Sequence, residues 1–67
     1  SVYIEKISEN TFYVFTLDLS KDIINKVISN FGKRHKIISV SVQYIPNNRS
    51  YHAYIAVEDL DNKNVEQ

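Results

Sequence analysis

The sequence predicts an α+β two-layer fold of order β-β-α-β-β, one amphipathic helix packed on a three- to four-stranded, mainly antiparallel sheet. Two observations carry this prediction. Across residues 20–32 the large apolar side chains Ile23, Ile24, Val27, Ile28 and Phe31 fall within one arc of roughly 140° on a helical wheel. On either side, residues 11–19, 37–45 and 50–57 alternate apolar and polar with the period of two that half-buried strands show. A single helix with one apolar face must therefore cover a small sheet.

Residues 2–7 form a short strand candidate, and Ser8, Glu9 and Asn10 supply a turn into the next strand. In that second strand Tyr13, Phe15, Leu17 and Leu19 make the more apolar face, expected to meet the helix, with Phe12, Val14, Thr16 and Asp18 opposite. Ser20 suits the helix N-cap, and Asp22 lies in the first turn, where the helix dipole favours a negative charge and where it can pair with Lys26. Gly32 follows the last apolar position as the expected positive-φ residue that ends the helix, ahead of Lys33, Arg34, His35 and Lys36. The third strand presents Ile38, Val40, Val42 and Tyr44 to the core and Ile37, Ser39, Ser41, Gln43 and Ile45 to the other side. Pro46, Asn47, Asn48 and Arg49 carry turn chemistry, after which Tyr51, Ala53, Ile55 and Val57 return on the core face opposite His52, Tyr54 and Ala56. Residues 1–60 are read as one domain. Residues 61–67 have too little apolar surface to offset ordering entropy and are expected to be a disordered polar tail.

A 67-residue chain is near the lower limit at which one hydrophobic core outweighs chain entropy. It has no cysteine, hence no disulfide or thiolate zinc site, and two histidines do not complete a structural metal cage. What remains is dense packing or self-association, and 43% hydrophobic content with five Tyr and three Phe supports both. Eight basic residues balance eight acidic ones, which removes whole-chain attraction to nucleic acid or anionic lipid, so that such binding needs a local patch. No apolar run approaches a membrane span, and an intracellular setting is favoured. Abundant Ile, Asn, Lys, Tyr and Phe with scarce Gly, Pro, Ala and Arg fit an AT-rich coding sequence, as in a low-GC bacterium, a thermophilic archaeon, a parasite, a virus or a phage, a viral or mobile-element regulator among them.

With one face of the sheet covered, the other is expected to carry Phe12, Val14, Ile37, Tyr54 and Ala56 among Ser39, Ser41, Gln43, Ser50 and His52. A mixed apolar face of this kind marks an interface. Phe12, Val14, Tyr54 and His52 are therefore the candidate protein-contact residues. Lys33, Arg34, Lys36 and Arg49 are the candidate nucleic-acid contacts, with Tyr44, Tyr51 or Tyr54 available for stacking. A basic cluster after a helix also follows from the dipole alone.

Ser50 and His52 share a strand face two positions apart, but no acid on that strand orients the pair and no glycine-rich turn offers an oxyanion hole. Asp18 and Asp22, or Glu58, Asp59 and Asp61, lack a loop that would gather their oxygens around a cation. A single glycine excludes a Walker loop and a dinucleotide fingerprint. Catalytic, cofactor and metal sites are accordingly none. Residues 12–60, with F-Y-V-F-T-L-D-L-S-K-D, a helix ending F-G and a later Y-I-A-V-E-D-L, are similar to the strand-helix-strand portion of LAGLIDADG homing endonuclease repeats. The acidic, glycine-bearing helix that supplies their metal ligands is absent, so the resemblance implies a DNA-facing sheet without nuclease activity. Because β-α-β-β patterns recur in unrelated domains, the reading does not rest on it. The expected function is a small non-catalytic interaction module that self-associates as a homodimer, binds a protein partner through the sheet face or edge, or both; the alternative is nucleic-acid binding through the basic cluster.

Overall fold

The computed structural model describes residues 2–17 and 21–58. The strands β1 (Val2–Ser8) and β2 (Thr11–Leu17) form a hairpin, the helix α1 (Lys21–Arg34) follows, and β3 (Ile37–Ile45) and β4 (Ser50–Val57) form a second hairpin. All pairings are antiparallel, and the spatial order is β1-β2-β4-β3. The α+β arrangement of one helix and four strands is thus the one the alternation predicts. The tail, Leu60, the Ser20 cap and Leu19 lie outside the described residues.

Ile24 is fully buried against Val14, Ala53, Ile55 and Val57, with Phe12, Val27, Ile28, Phe31, Ile37 and Tyr51 packed around them. The helix face is the expected one. Its contact with the sheet falls mainly on β4, and among the described residues nothing else covers the flanks formed by β1 and β3.

The face assignment of β2 is the reverse of that expected. Val14 pairs with Ala53 and Phe12 with Ile55, so both lie on the helix side, and Val14 is 0% exposed. Tyr13 and Phe15 stand on the open side opposite Tyr54 and His52. Hydrophobicity summed along the strand favoured the wrong side because it credited Leu17, which sits exposed at the strand end. The Tyr13 hydroxyl decides the matter. On the open face it meets His52, whereas under the helix it would require a buried polar partner.

Two further expectations change. The helix runs through Gly32 to Arg34, and no glycine has positive φ; the His35 amide closes the last turn on the Phe31 carbonyl at 2.9 Å. The left-handed residue is instead Arg49, at φ 52°, which caps the short 3-10 turn Pro46–Asn48. A bulge between Ile37 and Ser39 brings Ile37 opposite Val57 and against the core, so Ile37 leaves the outer set and Ile38 is left 63% exposed.

Candidate interaction surfaces

Among the described residues, strand β3 has β4 on one side and an open edge on the other. Its nine residues, I-I-S-V-S-V-Q-Y-I, include no charge, no proline and no glycine. Edge strands ordinarily carry charges or proline that discourage pairing with other chains. The other edge follows that rule, since Glu5 and Lys6 lie in the middle of β1 and are the only charged residues in the four strands. β3 has the composition of an interior strand at an edge position. Val40, Val42 and Tyr44 share the helix side with Ile55, Ala53 and Tyr51, yet are 37%, 44% and 46% exposed, because the helix does not reach over them. Among the described residues an unpaired backbone edge and an apolar shelf therefore lie together.

The open face of the sheet carries aromatic rings. Tyr13 stands 5.3 Å from Tyr54 and 6.4 Å from Tyr3, and His52 lies 5.0 Å from Phe15 and 5.9 Å from Tyr13, between ring centroids. The Tyr13 and His52 rings are held by hydrogen bonds. Ser50 Oγ lies 2.6 Å from Asn48 Oδ1 and 3.0 Å from His52 Nε2, and His52 Nδ1 lies 2.7 Å from the Tyr13 hydroxyl. With the Asn48 oxygen as acceptor, one arrangement of protons satisfies every group: Ser50 donates to Asn48, His52 Nε2–H donates to Ser50, and Tyr13 donates to Nδ1. In that arrangement the imidazole does not accept the serine proton, and Ser50 is fully buried. The pair noted in the sequence is joined here by a relay that positions side chains. Burial and the neighbouring Tyr54 and Glu5 raise the Tyr13 pKa, and Tyr3, donating to Glu5 Oε1 at 2.9 Å, is raised chiefly by that hydrogen bond.

The four candidate protein-contact residues fall on two faces. His52 and Tyr54 are on the open side, Tyr54 being 47% exposed, whereas Phe12 and Val14 lie under the helix. The candidate nucleic-acid contacts are likewise divided. Lys33, Arg34 and Lys36 are exposed at the end of α1 where β3 begins, and Arg49 is exposed in the turn beyond its far end, nine residues or roughly 30 Å away. The aromatic face carries Glu5 and no cation among the described strand residues.

Between α1 and the β1–β2 hairpin is a half-open cleft of about 400 Å³, lined by Ile4, Phe12, Val27, Asn30, Phe31, Arg34 and His35. Its floor is an aromatic cluster, with Phe12 4.9 Å from Phe31 and 5.3 Å from His35. Among the described residues no group of three His, Cys, Asp or Glu is placed to hold a metal ion, and no helix is long and apolar enough to cross a membrane. Comparison with protein families, curated proteins and solved structures finds no match to this chain.

Sequence reasoning passed over the β3 edge because strand order is not encoded in alternation. The signal that could have found it is the absence of charge over nine residues in a strand with half-exposed neighbours. The cleft follows from the face of β2, which alternation assigns the other way for Phe12.

Proposed function

We propose that this domain is a non-catalytic protein-interaction module that accepts an extended strand at the β3 edge. The observation that supports this reading is the uncharged nine-residue edge lying beside the exposed Val40, Val42 and Tyr44. Strand addition gains backbone hydrogen bonds along the edge, while the apolar shelf takes alternate side chains of the incoming strand. The sheet then gains burial that a domain of this size lacks on its own.

Nucleic-acid binding has less support, because Lys33, Arg34 and Lys36 lie at one end of β3 and Arg49 beyond the other, and the Tyr13–Tyr54 rings of the open face have no cation beside them among the described strand residues. A fluorescent nine-residue peptide of alternating valine and threonine tests the first reading by anisotropy. Saturable binding that persists at high salt and is lost in Val42→Lys is expected, since a lysine ammonium in the seam must be desolvated. Submicromolar binding of mixed-sequence DNA or RNA in physiological salt, lost when Lys33, Arg34 and Lys36 become Glu, would replace it.

A further inference from the structure

We infer that the natural occupant of the β3 edge is the β3 strand of a second copy, paired antiparallel about a twofold axis through Ser41. The inference rests on the edge-binding reading above and assigns its partner.

In an antiparallel pair, directly opposed residues project to the same face. With Ser41 opposite its own copy, Val40 meets Val42 and Ser39 meets Gln43, up to the bulge between Ile37 and Ser39. Across residues 39–43 apolar residues oppose apolar ones and polar residues oppose polar ones. Moving the register by one residue sets Val against Ser and turns the apolar set to the wrong face. A shift by two onto Val42 sets Ser39 against Ile45, and a shift onto Val40 brings the bulge against Val42 and Gln43. Ser41 is the midpoint of the nine residues.

Charge gives the same result. β3 has no charge to repel its copy, while the alternative β1 edge carries Glu5 and Lys6. Pairing β3 with β1 would be head-to-tail, leaving a free edge at each end and producing an open filament, whereas β3 with β3 closes at two chains. The product is one eight-stranded sheet with both helices on the same side. Val40, Val42 and Tyr44 of each copy then meet in the trough between the helices, which removes from water the half-exposed shelf that each chain shows alone.

Ser41 is exposed, so Ser41→Lys and Ser41→Glu can be made without disturbing the core, which circular dichroism checks. At the axis each substitution sets two like charges opposite one another. Analytical ultracentrifugation is expected to give a dimer for the wild type and a monomer for each variant, with the dimer restored when the two variants are mixed. A mixture that stays monomeric would overturn the axis position, and single variants that stay dimeric would place the interface elsewhere. A wild type that is monomeric at hundreds of micromolar would overturn the inference outright. In that case, retained binding of the valine–threonine peptide leaves the edge-binding reading standing with a different partner, and its loss removes both.

Discussion

At the scale of single residues, two side chains reveal how closely polar groups decide the layout of so small a core. Thr16 is fully buried on the helix side, and its Oγ1 has no hydrogen-bond partner among the described residues. A buried hydroxyl without a partner costs about 1–3 kcal/mol. Thr16→Val keeps the shape and removes that group, so a thermal melt is expected to move up by several degrees, as about 1 kcal/mol does in a domain of this length. Tyr13 is the opposite case, with its hydroxyl satisfied by His52 at 2.7 Å. Its raised pKa means that the unfolded chain releases the proton first, near the ordinary tyrosine value of 10.0. That contribution to stability is present below pH 10 and is lost as pH climbs through the folded-state pKa. Urea midpoints are therefore expected to hold up to about pH 9 and to fall above 10, with a shallower fall in Tyr13→Phe.

At the scale of elements, the helix and the strands differ in how much of them is legible in the sequence. A helix has one apolar stripe, and Ile23, Ile24, Val27, Ile28 and Phe31 specify which side is buried without knowledge of its neighbours. A strand between two others has two candidate faces, and in β2 both are apolar. The choice there came from register against Ala53 and Ile55 and from the partner that Tyr13 needs, neither of which is local. For the same reason alternation puts Phe12 and Val14 with Tyr54 and His52, and it points to a sheet edge without saying that β3 is that edge. The helix end was misread for a different reason: a glycine after an apolar position is a stop signal only if the chain turns left-handed there, and Gly32 does not. A Cβ at Gly32 would meet Ile37 Cδ1 at 3.7 Å, an ordinary contact. Gly32→Ala is therefore expected to stabilise the fold by about 0.5–1 kcal/mol in a denaturant titration. A loss of stability would return the residue to a positive-φ cap.

At the scale of the whole molecule, one helix is too narrow for four strands. It covers β2 and β4 and leaves apolar residues half-exposed on both flanks, Val2 and Ile4 on β1 and Val40, Val42 and Tyr44 on β3. The two flanks are not equivalent, since β1 carries Glu5 and Lys6 along its edge and β3 has no charge to keep another strand away. The absence of disulfides makes the extra burial of a shared sheet more valuable to this chain than to a larger one. The central claim is that β3, not β1, is the edge through which the molecule associates. Amide hydrogen exchange, followed residue by residue in dilute and in concentrated protein, tests it most directly. Slowing of exchange confined to the outward amides of β3 as concentration rises, with β1 unchanged, is the predicted result; outward amides of β3 that exchange at the same rate in both, or protection that builds on β1 instead, would contradict it.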